Sequence, residues 1–162
     1  MKNITNAENK NKRCNLEKEI EVLLLKPRKY PEKIIVENTS EALAAVIGSP
    51  EIELIPHPFD DYAVIVSPSL EVSASMQNNR ALRCPDGEII LGFNGSILIV
   101  GGTKENGLRS LTKKQTMRYY GEFYHPEVFM MVDDFMIVSK LPEELIVYDE
   151  FGIDEDESED MI

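Results

Sequence analysis

Two clusters of side chains in this 162-residue chain have the types and spacing to do chemistry. His57 stands between Pro56 and Pro58, with Asp60 and Asp61 just beyond. An imidazole beside a carboxylate is the pairing of a general base with its orienting group. The plainer reading is a loop histidine packed on Phe59. Asn79, Arg80 and Arg83 form the second cluster. Arginine presents a planar fork of donors that fits a carboxylate or phosphate. Asparagine holds loops or reads an amide edge. The competing use of Arg80 is structural, pairing with a carboxylate at the edge of the core to order residues 73–87. We take Asn79, Arg80 and Arg83 as the candidate binding residues, and assign no catalytic residue and no metal ligand.

Other motifs point away from chemistry. There is no G-x-S-x-G nucleophile elbow and no phosphate-cradling loop. Gly101-Gly102-Thr103-Lys104 lacks the first glycine of such a loop and reads as a strand-end turn. His57 and His125 have no matching ligand spacing for a metal, and no cofactor motif is present. Lys113, Lys114 and Arg118 read as the solvated face of a helix. Cys14 and Cys84 lie seventy positions apart, too few and too far for a disulfide framework, which fits a reduced cytoplasm. No apolar run reaches the ~20 residues of a membrane helix, and the polar N-terminal stretch has no signal-peptide core.

The net charge of −12 is unevenly placed. Residues 1–18 carry five basic and two acidic side chains; residues 130–162 carry one basic and twelve acidic. The stretch between is nearly balanced. Direct nucleic-acid binding is not expected, because phosphate affinity comes from clustered lysine and arginine. A local arginine-centred anion site remains compatible with these numbers. The acidic end reads as a solubilising tail or, more sharply, as a phosphate mimic that occupies a host defence protein.

Elements must position these groups. Residues 1–18 read as a disordered polar and basic arm, 19–129 as one domain, 130–148 as an extension and 149–162 as a disordered acidic tail. Glu19–Leu25, Lys33–Glu37, Glu51–Leu54 and Tyr62–Ser67 have strand patterning. A helix between the second and third is predicted to be capped by Asn38, with Glu41 at capping-box spacing and Gly48 as its stop. Residues 68–87 are less regular and end in the turn Pro85-Asp86-Gly87. Glu88–Leu91 and Ser96–Val100 are strands, and Asn94-Gly95 between them favours a hairpin over one bulged strand. Thr112 and Gln115 form a second capping box, opening a helix that Gly121 is expected to close, with Met117, Tyr120 and Tyr124 on one face. Val128–Met131 and Phe135–Val138 add strands, and Pro142 starts a short helical turn. The fold class that follows is α+β, a mostly antiparallel sheet of five to seven short strands with two main helices.

Several of these segments, in this order, resemble a known family. They are IEVLLLKP from Ile20, SEALAAVIGS from Ser40 and EIELI from Glu51. Asn79-Arg80-Ala81-Leu82, Asp86-Gly87-Glu88-Ile89 and Gly95–Gly101 follow, then Leu108 to Phe129 with Leu111-Thr112, Phe123 and Pro126-Glu127. Residues 20–129 resemble the uncharacterised bacterial family catalogued as domain of unknown function, number 3846. The resemblance implies a plasmid or phage setting in Gram-positive bacteria and supplies no activity. The expected function is a small cytoplasmic binding or accessory protein without catalysis, engaging a host factor or a small anionic ligand through the Arg80 region. The alternatives are the acidic inhibitor and a small hydrolase or nucleotide-modifying enzyme using His57 with Asp60 or Asp61. The extension after Phe129 offers a route to oligomers through an exposed strand.

Overall fold

A computed structural model describes residues 17–148. The expectations for the N-terminal arm, for Cys14 and for the acidic tail lie outside those residues or at their margin. Three strands are apolar along almost their whole length: β1 (Glu19–Leu25), β4 (Ala63–Pro68) and β7 (Ile97–Thr103). Alternate residues of a strand point to opposite faces, so such a run needs cover on both sides. One face presents Ile20, Val22, Leu24, Val66, Leu98 and Val100 to Leu43 and Ile47 of α1 (Ser40–Ile47). The opposite face presents Leu23, Leu25, Ile65, Ile97 and Ile99 to Leu82, Phe93, Tyr119 and Phe123. Two cores therefore share one sheet.

That sheet has six strands, ordered β2-β1-β7-β4-β3, with β2 at Glu32–Glu37 and β3 at Ile52–Pro56; β8 (Gly107–Arg109) pairs with the end of β7. All of its pairings are antiparallel. Between β4 and the next strand runs a short helix, α2 (Leu70–Ser73). The strands β5 (Asn78–Arg83) and β6 (Ile89–Asn94) form a hairpin around the Pro85-Asp86-Gly87 turn. Helix α3 (Lys113–Glu122) opens with the expected capping box, Thr112 and Gln115 each serving the other's backbone. Then β9 (Glu127–Val132) and β10 (Phe135–Lys140) form a second hairpin, and Glu143–Leu145 is a 3-10 turn after Pro142. The fold is α+β, mostly antiparallel, with two main helices. Among the described residues no helix is long and apolar enough to cross a membrane.

Three local expectations are corrected. Asn94-Gly95 joins neither a hairpin nor one long strand, because β6 pairs with β5 while β7 enters the main sheet. Gly95, at φ 80°, turns the chain from one layer to the other, and its N–H donates to the Gln77 carbonyl. The N-cap of α1 is Thr39, whose hydroxyl accepts from the Ala42 N–H, while Asn38 donates its amide to the carbonyls of Glu17 and Leu108. Gly48 ends α1 as expected, but Gly121 lies inside α3, which runs on to Glu122. The buried face of α3 carries Tyr119 and, just past its end, Phe123; Met117, Tyr120 and Tyr124 are exposed.

Candidate functional site

Arg80 lies in β5, in the stretch expected to be irregular, and is 1% exposed. All five of its N–H groups have protein acceptors. Nε donates to the Phe123 carbonyl, Nη1 to Asn79 Oδ1 (2.7 Å) and the Lys26 carbonyl (3.2 Å), and Nη2 to the carbonyls of Lys29 (2.6 Å) and Tyr124 (3.3 Å). Asn79 in turn donates to the carbonyls of Leu25 (2.8 Å) and Gly95 (2.7 Å). The pair ties the β1–β2 turn, the β6–β7 corner and the end of α3 to one strand. Burial pulls the Arg80 pKa down to about 10, against a smaller upward pull from Glu127, which leaves the side chain charged at neutral pH. The carboxylate expected to anchor Arg80 is thus replaced by main-chain carbonyls. Such acceptors carry no charge signal in a sequence.

Arg83, three residues along β5, faces a different environment. It forms a forked pair with Glu127, Nη1 to Oε1 at 3.2 Å and Nη2 to Oε2 at 2.8 Å. Glu127 Oε1 also accepts from the Ala81 N–H (2.8 Å), and Asn78 Oδ1 accepts from the Phe129 N–H (2.8 Å). Side-chain oxygens therefore stand where backbone carbonyls would join β9 to β5. The Arg83 side chain remains 35% exposed, and the pair with Glu127 uses two of its five N–H groups.

Beside that pair lies a groove of about 550 Å³. Its rim includes Arg83, Glu122, Tyr124, His125, Glu127 and Lys140. The basic groups come from three places, the end of β5, the connection after α3 and the end of β10. Burial raises the Glu122 pKa despite Arg118 one turn earlier. The Tyr124 ring stacks on Tyr30 at 4.7 Å between centroids, and His125 meets Tyr124 edge-on at 5.5 Å. The lining mixes the cations of Arg83 and Lys140 with the carboxylates of Glu122 and Glu127, and Tyr124 supplies an aromatic wall. Of the three expected binding residues, Asn79 and Arg80 shape the groove from behind and Arg83 reaches its surface. Lys140, His125 and Tyr124 were missed, because only the fold brings residues 83, 125 and 140 together.

His57 is buried against Tyr119 of α3, with ring centroids 5.2 Å apart. Its Nδ1 accepts from the Phe59 N–H at 3.1 Å, and Nε2 has no partner among the described residues. Burial lowers its pKa, with Asp60 opposing only in part. Asp60 does not hydrogen-bond the imidazole. It accepts from the Tyr119 hydroxyl, the Gln115 amide (3.2 Å) and the Tyr62 N–H (2.9 Å). Burial pushes its carboxyl up, but these three donors outweigh that and hold it below the usual range. Asp61 is exposed. A second cavity of about 460 Å³ opens by Asp60, Tyr62, Thr103, Arg109 and Gln115, and its lining residues do not include His57. Gly101–Thr103, expected to be a strand-end turn, instead continue β7 and pair with β8; the turn itself is Lys104–Asn106. Among the described residues no group of three His, Cys, Asp or Glu side chains is placed to hold a metal.

With this geometry in view, comparison with known proteins adds one match. A family model described as Domain of unknown function (DUF3846) covers residues 20–125. No curated protein and no solved structure matches the chain.

Proposed function

The chain belongs to the DUF3846 family, and on that premise we propose that it is a small non-catalytic binding protein whose groove takes a small anionic ligand. The observation that carries this reading is the convergence of Arg83, His125 and Lys140 in the lining of one groove. Its volume falls within the ~300–1,000 Å³ range of small-molecule sites. Arg83 supplies a fork with three N–H groups free of the Glu127 pair, suited to a carboxylate or phosphate. The aromatic wall accommodates an apolar or planar body behind the anionic group. Asn79 and Arg80 are positioning residues here, fixing the strand from which Arg83 projects. The bacterial cytoplasm of a mobile element or phage host is the setting implied by the resemblance.

The test is a titration of the full chain with inorganic phosphate and, separately, succinate, followed by amide chemical shifts. Saturable shifts are expected at Arg83, His125 and Lys140, and the stronger of the two ligands names the anion class. Arg83→Gln should weaken binding by at least about tenfold, the scale of one charge-assisted contact. A melting curve of the same variant checks that the β5–β9 join survives. Shifts located elsewhere, or unchanged affinity in a folded Arg83→Gln protein, would refute the proposal.

A further inference from the structure

The β9–β10 hairpin is anchored at one end only. At its base Phe129 lies over Gly92 of β6, its ring 2.8 Å from the position of a Cβ there. The Leu141 N–H closes the base on the Pro126 carbonyl. Toward the tip both strands emerge into solvent. Cross-strand register places Val132 opposite Phe135 and Met130 opposite Ile137, so these four share one face. They are 46%, 73%, 51% and 43% exposed. An isolated two-stranded hairpin is at best marginally stable in water. A polar outer face would keep such an arm solvated; this one is apolar.

We propose that this face packs against the same face of a second copy of the chain, in a two-fold dimer with antiparallel arms. The area fits that occupant. At about 200 Å² for a large apolar side chain, the four exposures amount to roughly 400 Å² per copy. Two copies bury roughly 800 Å² of apolar surface, and homodimer interfaces are about 65% apolar, which gives roughly 1,200 Å² in all. That is the lower end of specific interfaces.

Charge sets the orientation. The turn at the tip is Asp133-Asp134. Parallel arms would set four carboxylates together, whereas antiparallel arms hold the two turns apart, about 20 Å along a six-residue strand. A two-fold axis relates the two faces, as an isologous interface requires. The apolar face carries this inference, independently of anion binding in the groove.

The test is light scattering coupled to size exclusion on the full chain, across a roughly hundredfold concentration range reaching about 300 µM. A monomer–dimer equilibrium is expected within this range. Phe135→Glu, at an exposed tip position, should leave the circular dichroism melt unchanged and abolish the dimer. Replacing both turn carboxylates, Asp133→Asn with Asp134→Asn, should leave the affinity unchanged, because antiparallel arms keep the two turns apart. A wild-type monomer at every concentration overturns the proposal and leaves the face to a different protein. A dimer that persists in folded Phe135→Glu overturns the assigned face, and a severalfold tighter dimer in Asp133→Asn with Asp134→Asn overturns the antiparallel arrangement.

Discussion

Replacing Arg80 by alanine separates the two uses that its residue type allows. If the guanidinium is a clamp, the cost falls on stability. Hydrogen bonds to a charged group contribute about 1.5–3 kcal/mol each. Those to Phe123 and Asn79 are fully buried, and those to Lys26, Lys29 and Tyr124 are partly so. Relief of the cation's own desolvation offsets part of the loss. Removing one partner from a buried charged network typically costs about 3–5 kcal/mol, and about 4 kcal/mol is the value expected here. For a domain of this size that lowers Tm by roughly 15 °C. Arg80→Lys should fall between, since three ammonium donors cannot reach acceptors arranged for a planar fork. Arg83→Ala is the control. Its pair with Glu127 is 35% and 11% exposed on its two sides, so screening limits the loss to about 1 kcal/mol. Urea and thermal melts followed by circular dichroism give both numbers. If Arg80→Ala melts within about 3 °C of wild type, the clamp assignment is refuted. Equal losses from Arg80→Ala and Arg83→Ala would refute the ranking by burial.

Further outcomes follow from single contacts. His57 has a lowered pKa in the folded chain, so the unfolded chain binds its proton first as pH falls; stability is intact above about 6.5 and declines below it. Urea midpoints at pH 7.5 and 5.5 should differ in wild type and converge in His57→Gln, whereas Asp60, also lowered, acts only below its ordinary value of 3.8. Thr112→Ala removes the α3 cap and its reciprocal Gln115 contact, and should cost about 1 kcal/mol, seen as a Tm lower by about 4 °C. A Cβ on Gly101 would sit 2.5 Å from the Ser110 carbonyl oxygen. Gly101→Ala should therefore destabilise by about 2 kcal/mol in the same melts, because main chain cannot yield as a side-chain tip can.

The parts legible in the sequence are those set by neighbours along the chain. The strands β1, β4 and β7 are short, nearly continuous apolar runs, and the Thr112–Gln115 box is complete within four residues. Gly48 stops α1 for an equally local reason. What was not legible depends on pairing at a distance. Asn94-Gly95 has the chemistry of a hairpin turn, but β7 finds better partners in β1 and β4 than in β6. Asn38 has the chemistry of a cap, but carbonyls at residues 17 and 108 claim its amide and Thr39 takes the role. Helical spacing groups Met117, Tyr120 and Tyr124, and only the fold shows that Tyr119 and Phe123 are the residues facing the sheet. At the candidate site the sequence singled out Arg80 and Arg83 alike. Their fates differ because one strand position points into the core and the other to its margin.

The sheltering of Arg80 also imposes an order on synthesis. Its acceptors near residues 26 and 29 leave the ribosome before it, but those at residues 123 and 124 emerge only 43 and 44 residues later. At ordinary elongation rates that delay is roughly 2–9 s. Throughout it, seating β5 on the sheet would bury a cation short of part of its coordination. The nascent chain thus has a strand that should stay undocked until α3 has been made, and a product cut short before Tyr124 lacks the means to close its own core. Completion of the fold and completion of the domain become one event, a length check written in five hydrogen bonds.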